Sequence, residues 1–143
     1  MVNIFVHAHS GFRWLVLLFL IVAVVNAMMK KNRYSNSDRI LNLVTMIVFH
    51  IQFLIGIVLY FISPMVTHAS GWMSNNISRF YGMEHEIPMV LAMILITVGH
   101  AKSKKATDAS KKNKAIFTYY FISLILILAA IPWPFRNLGA SLF

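Results

Sequence analysis

Met83–Lys105 reads MEHEIPMVLAMILITVGHAKSKK, an apolar run with a histidine near each end and lysines closing it. It is near the roughly 20 residues a helix needs to cross the hydrocarbon core of a bilayer. His85 and His100 stand fifteen positions apart, about 22 Å along a helix. Fifteen steps of roughly 100° return to within about 60° of the starting direction, so both imidazoles leave much the same side. An ionisable group inside such a segment is costly, which marks it as a functional candidate.

Three further apolar segments accompany this one. The four are expected at about 11–29, 40–62, 83–101 and 115–131, joined by connections at 30–39, 63–82 and 102–114. The expected fold is an all-α membrane protein: one four-helix transmembrane bundle over residues 1–143, without repeats or a separate soluble domain. Composition agrees, with 59% hydrophobic residues and a mean hydropathy of +0.71. Only 12% of residues are charged, against about 25% in a soluble chain. The absence of cysteine excludes disulfides, thiolate metal sites, iron–sulfur clusters and covalently attached haem.

A formal charge of +9 in a soluble protein would suggest nucleic acid. Here the charges mark topology. The first connection carries Lys30, Lys31, Arg33 and Arg39, and the third carries Lys102, Lys104, Lys105, Lys111, Lys112 and Lys114, together ten of the thirteen basic residues. Alternating spans put both connections on one side, which the positive-inside rule makes cytoplasmic. Both termini are then expected outside, in the periplasm of a bacterial inner membrane. No aromatics interleave with the lysines, so no nucleic-acid partner is expected. The first segment resembles a secretory signal, but Lys30 and Lys31 directly after it act as an anchor, so a retained span is expected. Pro64 and Gly71 break the outer connection. Pro132 and Pro134 end the last span, while Trp72, Phe80, Tyr81 and Trp133 suit an interfacial aromatic belt.

Six histidines carry the candidate chemistry: His7, His9, His50, His68, His85 and His100. Counted inward from the outer ends, His9 and His85 fall at one level on two helices, the arrangement by which bundles hold a cofactor between facing side chains. Arg13 lies one turn beyond His9. Its guanidinium fork suits a haem propionate, and the plain alternative is snorkelling to lipid phosphate. His50 sits mid-span, roughly 10 Å deeper, so it cannot share an iron with that pair. It belongs either to a second haem, with His100 as the inner-half partner, or to the core as a hydrogen-bonded residue. His100 also reads as a simple interfacial histidine. His7, His9, His68, Glu84, His85 and Glu86 together form an outer-face ligand set for zinc or copper. The nine methionines need no metal, being flexible apolar fillers. Nothing pairs a nucleophile with a base, so hydrolysis is not expected.

Several short motifs carry a family likeness. Ala8-His9-Ser10-Gly11-Phe12-Arg13-Trp14, Phe49-His50-Ile51-Gln52, Glu84-His85, Ser103-Lys104-Lys105 and Ile131-Pro132-Trp133-Pro134-Phe135 resemble, in order and over nearly the whole chain, small four-span bacterial inner-membrane proteins of cytochrome-b-like type. The general plan is also similar to the haem-bearing anchors of quinone-linked respiratory enzymes. The likeness implies a haem-carrying electron-transfer protein, with His9, His50 and His85 as the matched histidines. The expectation is therefore a b-type cytochrome with one or two bis-histidine haems, exchanging electrons with a quinone or a partner respiratory subunit. Glu84, Glu86 and Gln52 are candidates to tune the haem through hydrogen bonds. The alternative is a non-redox scaffold or accessory subunit carrying the outer zinc or copper site.

Overall fold

A computed structural model describes residues 1–139; residues 140–143, the end of the expected single bundle, lie outside the described residues. Four helices are long and apolar enough to cross a membrane: Val2–Met29, Asn36–Ile62, Asn76–Lys105 and Ala109–Ala130. We label the regular α-helical pieces α1 (Val2–Met29), α2 (Asn36–Ile62), α3 (Asn76–Arg79), α4 (Glu86–Lys105) and α5 (Ala109–Ala130).

Each helix overruns its apolar segment, because a helix ends where its backbone finds a cap rather than where hydropathy falls. α1 begins nine residues before the apolar run expected from Gly11, so His7 and His9 are helical. α2 begins at a capping box. Ser35 accepts from the Asp38 amide, and the Asp38 carboxylate accepts from the Ser35 amide in return. α5 begins at Asp108, whose side chain accepts from the Lys111 amide. In the loop after α2, Gly71 takes φ 82°, a left-handed conformation that glycine adopts without steric cost. Asn75 then caps α3 by accepting from the amides of Ile77 and Ser78.

Between α3 and α4 the chain makes a π-helical turn over Phe80–Glu84, and the His85 amide donates to Phe80 O at 2.9 Å. Pro88 explains the irregularity. It lacks the amide that would bond Glu84 O four residues back, and its ring crowds that carbonyl. Inserting one residue into the turn relieves both problems, and it rotates His85 by about 100° relative to an unbroken helix.

The bundle is unequal around its ring. α1 and α5 have 39% of their apolar windows buried, against 17% for α2 and for the Asn76–Lys105 span that contains α4. α1 packs on α2 and α5, and α4 packs tightly on α5, whereas α2 and α4 meet sparsely. The core is drawn mainly from Leu20 and Ala23 of α1, Phe49 of α2, Ala92 and Ile96 of α4, and Ile116 and Tyr120 of α5. Small residues let backbones approach, as in membrane bundles generally. A methyl group added at Gly99 would lie 2.5 Å from Tyr119 Cβ, so α4 and α5 touch there with no room for a side chain.

The two lysine-rich connections do lie at the same end. Asn113 Nδ2 donates to the carbonyls of Lys30 and Arg33, both at 2.9 Å, tying the α1–α2 turn to the start of α5. Asp38 accepts from Lys30 Nζ at 2.7 Å and from Asn26 Nδ2 at 2.8 Å.

Candidate cofactor site

At the opposite end, α1 and the start of α4 bring His9 and His85 together, with ring centroids 6.2 Å apart and planes at 76°. Each ring is held by a separate local cause. α5 stops at Ala130 and is followed by Pro132 and Pro134, so its last carbonyls have no helical donors. Pro134 in particular has no amide to offer Ala130 four residues back. Side chains fill the gap. Trp133 Nε1 donates to Leu128 O at 2.9 Å, Arg136 donates to Ala129 O at 3.2 Å, and His85 Nδ1 meets Ala130 O at 2.8 Å. A carbonyl only accepts, so the His85 proton sits on Nδ1 and the neutral ring carries its lone pair on Nε2.

His9 is seated against α2. A methyl group added at Gly56 would lie 3.2 Å from His9 Cε1, so glycine supplies the space the imidazole occupies. Gln52 Nε2 donates to the His9 carbonyl at 2.8 Å. The buried polar atoms here that lack a hydrogen-bond partner include His9 Nδ1 and Gln52 Oε1. Such atoms are rare enough in folded proteins to call for an explanation. Both residues line a cavity of about 290 Å³, together with His85, Arg13, Tyr60 and Glu86. Arg13 is only 9% exposed, and its guanidinium lies 5.2 Å from the Trp14 ring centre.

The remaining sequence candidates divide. Glu84 leaves the cavity group for Arg79, whose Nε donates to it at 2.7 Å. His68 pairs through Nε2 with the Tyr60 hydroxyl at 3.1 Å and packs on Trp72 at 4.9 Å. His7 is exposed, as two steps along a helix from His9 require. Among the described residues no three His, Asp or Glu side chains come together as a metal group, so the six-residue zinc or copper set is dispersed.

His50 has both nitrogens engaged: Nδ1 meets Met46 O at 2.7 Å and Nε2 meets the Thr97 hydroxyl at 3.1 Å. His100 Nδ1 is buried without a partner. No hydrogen bond or ring contact among the described residues joins His100 to His50.

The donor set fits haem at the first pair. Two metal–nitrogen bonds of about 2 Å plus the half-width of each ring come to roughly 6 Å, the separation found between His9 and His85. One imidazole has its tautomer set by a backbone carbonyl, a common companion of metal-binding histidine. The signals that sequence reasoning missed are Gly56, the Ala130 carbonyl and the π-helical turn. Pro88 and Pro134 advertise the last two, but only in combination with the fold. No protein-family model, curated protein or solved structure matches the chain.

Proposed function

We propose that the chain is a b-type cytochrome of a bacterial inner membrane, with both termini on the periplasmic side and haem b held between His9 and His85. It acts as an electron-transfer protein or subunit, exchanging electrons within the membrane with a quinone or a partner respiratory subunit, rather than as a stand-alone enzyme. The observation that carries this reading is the imidazole pair itself. Two histidines from different helices line one cavity, at a ring spacing that would let both imidazoles hold one metal ion. Haem, when bound, supplies reversible one-electron chemistry.

The chain's own residues do the rest. Ala130 O keeps the His85 proton on Nδ1 and so presents the Nε2 lone pair. Gly56 gives the His9 ring its seat. Gln52 anchors the backbone beneath His9 and brings a carbonyl oxygen to the same cavity. With its side chain turned, that oxygen is the natural acceptor for a His9 Nδ1 proton. Arg13 offers a buried guanidinium suited to a propionate. Apolar helices around the pair exclude water and favour a low-dielectric site. The second pair, His50 and His100, has less behind it, because Thr97 and Met46 already occupy both nitrogens of His50.

The reduced-minus-oxidised absorption spectrum of the purified protein tests the reading. A Soret band and a sharp α-band of bis-histidine haem b are expected. A colourless preparation from haem-replete cells that takes up no added haemin would overturn it and favour a non-redox scaffold. Orientation has its own test. Cysteines placed at Lys31 and Lys111 should resist a membrane-impermeant thiol reagent in intact cells, while one at Ser70 should react; the opposite pattern reverses the topology.

A further inference from the structure

The sparse seam between α2 and α4 leaves a second depression, a groove of about 540 Å³ on the outer surface of the bundle. It is lined chiefly by Ile57 and Phe61 of α2 and Ile87 and Val90 of α4. All four belong to helices apolar enough to span a membrane, so the groove faces hydrocarbon rather than water. Three residues, Phe53, Tyr60 and Glu86, line both this groove and the cavity that holds His9 and His85. They stand between the groove and the histidine cavity.

That partition is not apolar throughout. Tyr60 brings a hydroxyl and Glu86 a carboxyl to a wall otherwise made of hydrocarbon. The three ion pairs among the described residues are Lys30–Asp38, Arg79–Glu84 and Lys111–Asp108, and none takes Glu86. A lipid acyl chain filling the groove would leave the Glu86 carboxyl without a polar partner on that side, which costs free energy, and would offer nothing to the Tyr60 hydroxyl beyond its bond to His68. A ring bearing oxygens on an apolar tail satisfies both demands at once: the tail fills the groove, and the oxygens meet the wall. An apolar site with a few converging polar groups, within the usual size range of ligand pockets, suits such a molecule.

We propose that the α2–α4 groove is the binding site for a lipid-soluble quinone, entering sideways from the membrane with its ring against Tyr60 and Glu86. The proposal rests on the cytochrome reading for the purpose of the visit, but the binding geometry stands without it. Tyr60 is the hydrogen-bonding anchor, with His68 holding its hydroxyl in place at 3.1 Å. Phe53 is the apolar part of the partition between the ring and the histidine cavity.

The test uses the full chain in nanodiscs, both as purified and after haem extraction, with a short-tailed benzoquinone as the probe. Trp72 reports on the site, because its ring lies 3.1 Å from where a side chain at Gly82 would begin, and Gly82 lines the groove. Saturable quenching of tryptophan fluorescence is expected, and a photoreactive benzoquinone should label peptides from α2 and α4. Tyr60→Phe, which keeps the ring and removes one hydrogen bond, should weaken binding about tenfold. Val90→Trp, on the lipid-facing surface, should abolish it by filling the groove. Equal competition by a plain alkylbenzene of the same tail length would show that only hydrocarbon is recognised and would overturn the proposal. Labelling confined to other helices would do the same. A colourless protein that still binds the quinone saturably would refute the cytochrome reading alone. A haem-bearing protein with no saturable quinone binding would refute the groove alone.

Discussion

The two ends of the bundle differ in what surrounds their buried polar groups. At the lysine-rich end most of them find each other, though Asn42 Oδ1, His100 Nδ1 and Ser103 Oγ have no hydrogen-bond partner. Asp38 accepts from Lys30, Asn26 and Ser35, Asn113 spans the α1–α2 turn, and Tyr120 donates to Asn42 O at 2.9 Å. At the His9 end, His9 Nδ1 and Gln52 Oε1 have no partner, and their residues line a cavity shared with Arg13 and Glu86. A network closed on itself locks loops, because every broken bond leaves another group stranded in low dielectric. What sets the His9 end apart is that its polar groups gather around a cavity of about 290 Å³.

The sharpest way to break this contrast is to remove the histidines. His85→Ala and His9→Ala should each abolish the same haem spectral species completely, while the fold survives as judged by circular dichroism. His50→Ala and His100→Ala should act together on a second species or leave the spectrum unchanged. If His50→Ala removes the only haem while His9→Ala leaves it intact, the pairing is wrong.

Asp38→Ala makes the complementary cut at the other end. It removes a side chain with 3% exposure that is paired to a Lys30 with 40% exposure. Partial exposure of the lysine moderates the penalty for breaking a buried pair, leaving a loss of about 2–3 kcal/mol with the capping box included. Thermal melts should register this loss, and haem content per folded molecule should not change. A variant that loses haem without losing stability would erase the distinction between the ends.

Gly56→Ala asks a finer question. The added methyl would lie 3.2 Å from His9 Cε1, so the ring must give by a few tenths of an ångström. A stability cost of about 1 kcal/mol is expected, with a shifted α-band or reduced haem retention. An unchanged spectrum and retention would show that Gly56 does not seat His9.

The smallest effect is expected at Asp108, in the connection before α5. The Lys111 amide, donating to its carboxylate, holds its pKa below the ordinary 3.8. A depressed carboxyl stabilises the fold above its unfolded pKa, and the contribution fades as pH falls through the lowered folded value. Stability should therefore slope downward below about pH 4, and Asp108→Asn, which caps without titrating, should flatten part of that slope. An unaltered acid limb would show that this cap adds nothing measurable.

The helices, their approximate extent and the pairing of the two lysine-rich loops were legible in the sequence, since each depends on short-range properties. Apolar length is local, and so is a Pro132–Pro134 stop. Alternation of spans then sends both basic loops to one end without knowledge of packing. Counting residues inward also brought His9 and His85 to one level. Only the tertiary structure decided what surrounds them. Ala130 O meets His85 because α5 lies against the start of α4, across 45 residues of chain. Gly56 seats His9 because α1 and α2 cross there. Glu84 goes to Arg79 because Asn75, α3 and the π-helical turn bring that pair within 2.7 Å. The first two contacts join positions that no periodicity relates, and they exist only once the helices have buried their shared faces.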